Sequence, residues 1–146
     1  MKVREVMSSN PVCCLPTDTA EKVAKTLREH DIGSIPVVVD QQTRRLIGMI
    51  TDRDLCCAVV ADGLDPKRTA IEKFVTTNPV SCRDGENLEH CERAMREHRV
   101  RRIPIVDGDG AVIGIVAQAD LVLKLKETPE RASETVAAIS KPSKAA

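Results

Sequence analysis

The chain repeats itself. Asn10-Pro11-Val12, Arg28-Glu29-His30 and Ile35-Pro36 return as Asn78-Pro79-Val80, Arg96-Glu97-His98 and Ile103-Pro104, each displaced by 68 positions. After a two-residue contraction, Leu46-Ile47-Gly48-Met49-Ile50 matches Val112-Ile113-Gly114-Ile115-Val116, and Asp54-Leu55 matches Asp120-Leu121. A duplicated supersecondary unit seldom buries its apolar face alone, so two copies predict one shared core. Differences between the copies then mark positions set to different tasks.

The 146 residues suit one domain, or two half-domains with a common core. Lys plus Arg and Asp plus Glu balance at 22 each, which gives no general basic field for nucleic acid or an anionic membrane. Phe74 is the single aromatic residue, which argues against any reading that needs base-stacking platforms. No apolar run approaches the roughly 20 residues of a membrane span, and the first residues lack the apolar stretch of a signal peptide. The expectation is a soluble cytoplasmic protein that binds neither nucleic acid nor membrane.

Each repeat reads strand, helix, strand, strand, helix. In repeat 1, Pro11–Leu15 is a short strand, and Asp18 with Glu21 a capping box. Ala20, Val23, Ala24 and Leu27 recur at helical spacing up to His30. Ser34–Val39 is a β-branched run expected of a strand covered on both faces. A turn at Asp40–Arg44 leads to the strand Arg45–Ile50, and Thr51-Asp52-Arg53-Asp54 opens a helix ending near Asp62-Gly63. Repeat 2 follows suit: strand Pro79–Cys82; helix Glu86–His98 with Leu88, Cys91 and Met95 inward; strands Arg102–Val106 and Ala111–Val116 around Asp107-Gly108-Asp109-Gly110; and a helix from Ala117 to Lys126. Lys2–Met7 and Ala70–Phe74 are matching short lead-ins. Beyond Pro129 another helix carries Val136 and Ile139, and Lys141 onward reads as a frayed tail.

Cys13-Cys14, Cys56-Cys57, Cys82 and Cys91 show neither C-x-x-C nor zinc-finger spacing. Cys14 and Cys82 share one repeat position on a predicted strand, where a small thiol packs well. Free thiols in a reducing compartment are one reading; a redox pair or metal site is the other. His30 and His98 fall at helix C-termini, where the dipole favours them and they can cover the last carbonyls. His90 has no such pattern.

Two β-α-β-β-α copies, each with Ile-Pro opening the middle strand and Gly-hydrophobic-hydrophobic-x-x-x-Asp at the last strand–helix junction, resemble the CBS (cystathionine-β-synthase) domain pair, or Bateman module. Ile35-Pro36-Val37 with Gly48-Met49-Ile50-Thr51-Asp52-Arg53-Asp54, and Ile103-Pro104-Ile105 with Gly114-Ile115-Val116 and Asp120, carry the resemblance over residues 1–125. The family implies a mixed α/β fold in which the repeats pack about a pseudo-two-fold axis and leave two clefts. It places repeat 1 at 1–62, a connector at 63–73, repeat 2 at 74–127 and a partly helical tail at 128–146. It also implies a regulatory ligand (AMP, ADP or ATP, with S-adenosylmethionine the lesser candidate) and a homodimer.

By the same resemblance, the first cleft would draw Met49, Thr51 and Asp54 from repeat 1 and Pro79, Val80, Val100, Arg101, Arg102 and Pro104 from repeat 2. Thr51 as an N-cap, with free amides at 52–54, would be an anion site, and Asp54 an acceptor for ribose hydroxyls. The same T-x-x-D is equally a plain cap. Arg101 and Arg102 would meet phosphates with their guanidinium forks, or form a solvated patch. The second cleft would use Pro11, Val12, Ile32, Gly33, Ser34 and Pro36 with Ile115, Ala117 and Asp120. There alanine replaces the threonine and Gly33-Ser34 replaces the arginine pair, so weaker phosphate binding is expected. Nucleophile elbows, Walker A loops and H-E-x-x-H do not occur, and Asp52 and Asp54 diverge on a helix start. The reading is a ligand sensor without catalysis, acting through an unknown protein partner and needing no cofactor. The alternatives are a cysteine-based redox or metal sensor, or an interaction module with empty clefts.

Overall fold

Lead-in segments decide how the chain is partitioned. The computed structural model describes residues 1–124 and 129–141; the predicted helix end at 125–126 and the tail from 142 lie outside them. Two compact units emerge. One comprises Met1–Asn10, Val80–Gly108 and the chain from Ile113; the other comprises Pro11–Pro79 with Asp109–Val112. The segment before repeat 1 thus folds with the body of repeat 2, and the segment before repeat 2 with the body of repeat 1.

The unit built on repeat 1 holds α1 (Ala20–His30), β2 (Ser34–Val38), β3 (Leu46–Thr51), α2 (Asp52–Leu55) and β4 (Thr76–Thr77). Its sheet runs β2-β3-β4, antiparallel throughout. All five residues of β2 are buried, as the unbroken β-branched run predicts. Ala20, Val23 and Leu27 turn the apolar stripe of α1 onto Ile35, Val37, Ile50 and Ile71. The N-cap of α1 is Thr19, whose hydroxyl accepts from Lys22 N, and not the expected Asp18. Asp18 instead closes the preceding turn by accepting from Leu15 N at 2.9 Å. The predicted first strand Pro11–Leu15 shrinks to one parallel bridge, Cys14 with Val37. Prolines at 11 and 16 supply no N–H, which leaves little ladder to build.

Beyond Leu55 the helix continues as a π-turn over Cys56–Val60 and closes on Gly63 at φ 67°. Leu64 N reaches back to Val59 O at 3.0 Å, so the left-handed glycine finishes the helix.

The other unit holds β1 (Ser8–Ser9), β5 (Cys82–Arg83), α3 (Leu88–His98), β6 (Arg102–Val106), β7 (Val112–Ala117), α4 (Gln118–Lys124) and α5 (Pro129–Ile139). Its sheet runs β1-β7-β6-β5, with β5 parallel to β6. Leu88, Cys91 and Met95 enter the core with Ile103, Ile105, Val116 and Leu121. α3 begins at Leu88 rather than Glu86, because Glu86 N closes a turn on Arg83 O. Short 3-10 turns at Val3–Glu5 and Ile71–Lys73 are the matching lead-ins.

The repeated motif residues now have structural reasons. Asn10 and Asn78 both sit at positive φ, 53° and 49°, where asparagine is among the few tolerant side chains. Gly48 lies opposite Thr77 of β4, and a Cβ there would run into Thr76 O and Val75 Cγ1. Gly114 lies opposite Ser9 of β1, where the obstacle is the Met7 side chain. The glycine in each signature admits the lead-in strand.

One buried charge breaks the apolar pattern. Glu92 is fully buried on α3; its Oε1 accepts from Thr135 Oγ1 at 2.6 Å and its carboxylate pairs with Arg131 of α5. The matching residue of α1 is Ala24, and it is exposed.

Candidate functional site

The strand–helix junction of repeat 1 is a closed hydrogen-bond ring. Asp54 N donates to Thr51 Oγ1 at 3.0 Å and Thr51 N donates to Asp54 Oδ2 at 2.9 Å. This is a reciprocal capping box. Asp52 N is bonded to Gly33 O at 3.0 Å, and Arg53 N to Asp52 Oδ1 at 2.8 Å. The expected anion site of free amides at 52–54 is therefore corrected: all three amides already have acceptors. The plain cap is what the backbone makes here. Chemistry directed at a ligand falls to side chains, and Asp54 keeps acceptor capacity, since a carboxylate offers about four lone pairs.

Pairing of β2 with β3 sets further residues beside this junction. Ser34 lies opposite Thr51 and Pro36 opposite Met49. Ser34 is 8% exposed, and its Oγ is buried with no hydrogen-bond partner among the described residues. A buried hydroxyl without a partner costs about 1–3 kcal/mol. Gly33, Ser34, Pro36, Met49, Thr51 and Asp54 thus form one corner of one unit, although they were assigned from sequence to two different clefts. Ile32, partly buried, joins the same core edge, as does Val12. Pro11 O accepts from the Arg44 guanidinium, which also lies 3.1 Å from Cys13 Sγ. Pro79 belongs to this unit as well.

Repeat 2 builds the same corner. Gln118 N donates to Arg101 O at 2.7 Å, as Asp52 N does to Gly33 O. Ala117 N donates to Asp120 Oδ2 at 2.8 Å, as Thr51 N does to Asp54. Ala117 lacks a hydroxyl, so the second half of the box is missing. Arg101 is exposed and Arg102, the first residue of β6, half-buried, as expected for neighbours on an extended segment. Pro104 is buried in β6, Val80 and Val100 pack against the core edge, and Ile115 is buried in β7.

His30 Nδ1 lies 3.1 Å from Thr26 O, covering a late carbonyl of α1, and His90 stands 3.1 Å from Glu86 one helical turn away. All six cysteines are free; Cys13, Cys14, Cys82 and Cys91 are buried, and Cys56 and Cys57 are exposed. Burial pushes the Cys14 thiol up to about 12. Among the described residues no cluster of His, Cys, Asp or Glu is arranged to hold a metal ion, and no helix is long and apolar enough to cross a membrane. The buried charge that periodicity missed is Glu92. Its partners lie 39 and 43 positions downstream, beyond any local pattern.

A family model described as the CBS domain matches residues 3–61 and 71–127. Hypoxic response protein 1 of Mycobacterium tuberculosis is 33% identical over 124 residues, 85% of each chain. The CBS domain-containing protein YhcV of Bacillus subtilis is 34% identical over 121 residues, 83% of each. Among solved structures, Hypoxic Response Protein I with two coordinated zinc ions superposes with a TM-score of 0.76 at 31% identity, over 84% of this chain and 98% of that one. CBSX2 in complex with AMP gives 0.72 at 27%, over 86% and 96%. The CBS domain pair of protein MJ0100 in complex with 5-methylthioadenosine and S-adenosyl-L-methionine gives 0.76 at 26%, over 87% and 97%.

Proposed function

Because the chain belongs to the CBS domain family and carries the domain twice, we propose that it is a regulatory sensor of an adenine nucleotide. The observation that carries this reading is the carboxylate held in one frame twice over, Asp54 and Asp120, each fixed by the backbone N–H three residues earlier. A fixed carboxylate with spare lone pairs suits a vicinal diol such as ribose. Structural relatives bound to AMP, or to methylthioadenosine and S-adenosylmethionine, share an adenosine moiety and support the same ligand class.

AMP, ADP or ATP is the ligand, with S-adenosylmethionine the lesser candidate. Met49, Thr51, Asp54, Pro79, Val80, Val100, Arg101, Arg102 and Pro104 form the stronger site. Apolar side chains at 49, 80 and 100 hold the base, Asp54 the ribose, and Arg101 or Arg102 the phosphates. Pro11, Val12, Ile32, Gly33, Ser34, Pro36, Ile115, Ala117 and Asp120 form the weaker one. It lacks guanidinium donors, whose charged hydrogen bonds contribute about 1.5–3 kcal/mol each. The protein works as a cytoplasmic homodimer, has no catalysis of its own, and passes its bound state to a protein partner. Ligand does this by binding one arrangement more tightly than another.

Calorimetric titration with AMP, ADP, ATP and S-adenosylmethionine tests the reading. At least one adenosine ligand binds the wild type, and Asp54→Ala weakens it by about tenfold, equivalent to about 1.4 kcal/mol. Asp120→Ala weakens the same ligand less. Heats absent for all four ligands at millimolar concentration, or indifferent to both substitutions, would overturn it.

A further inference from the structure

The turn between β2 and β3 is two residues longer than the matching turn of repeat 2, and its side chains reach back to the start of the repeat. Gln41 Nε2 donates to Cys13 O at 3.0 Å. Arg44 Nη2 donates to Pro11 O and stands 3.1 Å from Cys13 Sγ. Two side chains of one turn thus hold the Pro11–Cys13 segment. The match of Arg44 in repeat 2 is Gly110. Val112 N donates to Arg44 O at 2.8 Å and Leu46 N to Gly110 O at 3.0 Å, reciprocal bonds on either side of the Arg45–Ala111 bridge. Both residues have positive φ, 53° and 81°. That backbone suits glycine and disfavours arginine, so the conformation at Arg44 is held by its contacts. Gly110 has no side chain with which to reach Pro79, the match of Pro11, and the shorter turn has no residue to match Gln41.

We propose that Gln41 and Arg44 are specificity-determining residues: they form a clasp that hinders the site built on Pro11 and Val12 from taking an adenine base, and the site built on Pro79 and Val80 has no such clasp. This rests on the adenosine-ligand reading above. Proline has no N–H, so the main chain of Pro11 offers a base only its carbonyl. The adenine amino group is a donor, as is the guanidinium, and the two compete for that oxygen. Gln41 takes Cys13 O in the same way, and Cys14 O already accepts from Val38 N at 2.9 Å. Ligand must therefore open the clasp, and its apparent affinity falls with the fraction of molecules in which the clasp is open. A clasp open in about one molecule in ten weakens binding about tenfold. The clasp acts on the base, so it weakens adenosine itself, apart from any lack of phosphate donors.

Calorimetric titration with adenosine, which carries no phosphate, isolates this effect. Arg44→Gly installs the residue that repeat 2 uses at this position and suits the positive φ. Gln41→Ala changes an exposed side chain and serves if the first variant fails to fold. Arg44→Gly is expected to bind a second adenosine per chain, or to bind the weaker one about tenfold more tightly, with the stronger one unchanged. Gln41→Ala moves the same way by less. Cys13 is the local reporter, read by peptide mass spectrometry of native protein. Iodoacetamide labels it faster in Arg44→Gly than in wild type, and adenosine slows that labelling again, which loosened structure alone does not produce. The proposal fails if the folded variants keep the wild-type number and affinity of adenosine sites, or bind adenosine more weakly. Failure of the underlying reading looks different: wild type and variants alike give no heat with adenosine, AMP, ADP or ATP, and the clasp falls with it.

Discussion

The junctions at Thr51–Asp54 and Ala117–Asp120 are one piece of backbone made twice. Both tie the fourth residue's carboxylate to the first residue's N–H, at 2.9 and 2.8 Å, and both anchor the second residue's N–H on the preceding strand's lead-in, at 3.0 and 2.7 Å. They differ by one hydroxyl. Frame geometry therefore survives loss of the threonine, because the carboxylate half of the box and the strand-to-junction bond suffice to hold it. What the hydroxyl adds is stability at the helix start. The helices contrast more sharply: α1 leaves Ala24 exposed, whereas α3 buries Glu92 under α5.

The largest expected effect breaks that second contrast. Arg131→Ala leaves the Glu92 carboxylate buried without its cation and is expected to cost about 3 kcal/mol in urea unfolding. Replacing both partners, as Glu92→Leu with Arg131→Met, should recover most of the loss. A double variant as unstable as the single one would show that the charge pair is not what fastens α5.

Next come the two signature glycines. Gly48→Ala drives a methyl into the Thr76 carbonyl and the Val75 side chain, and should cost about 2–3 kcal/mol. Gly114→Ala meets chiefly the flexible Met7 side chain and should cost about 1 kcal/mol. Thermal midpoints measured side by side check the order; equal losses would show that β1 and β4 are held alike.

The hydroxyl itself is worth less. Thr51→Ala should lose about 1 kcal/mol, and Ala117→Thr should gain a comparable or smaller amount. Calorimetric unfolding of the pair decides whether the second junction accepts the missing half of its cap.

One further effect is confined to alkaline pH. An unfolded thiol ionises near 9, whereas burial holds Cys14 protonated to about 12. The unfolded chain thus releases its proton first. This contribution is complete below pH 9 and is lost as pH rises from 9 toward 12. Cys14→Val should flatten the decline in stability between pH 9 and 11, read from urea midpoints.

Helices and middle strands were legible in the sequence because period and burial agree over many residues: Val23 and Leu27, Cys91 and Met95, and the run from Ser34 to Val38 all face where their spacing places them. The first strand of repeat 1 was overread, since Pro11 and Pro16 remove donors that a propensity count ignores. The amides of Asp52 and Arg53 were legible as helix-start donors, but not as donors already engaged. Their acceptors are Gly33 O, just ahead of β2, and the Asp52 side chain itself. Glu92 was hidden for the same reason: a carboxylate on a helix reads as solvated until a distant helix arrives to cover it.

Neither repeat is a contiguous module. A fragment ending at residue 62 would keep β2 and β3 but forfeit β4, baring the edge at Gly48, while its own first ten residues would have no sheet to complete. Such a fragment has an unsatisfied strand edge and a loose strand on the same molecule, the ingredients of exchange between chains. Truncations meant to isolate one half should therefore carry the other half's leader, grafted, or expect self-association instead of a monomer.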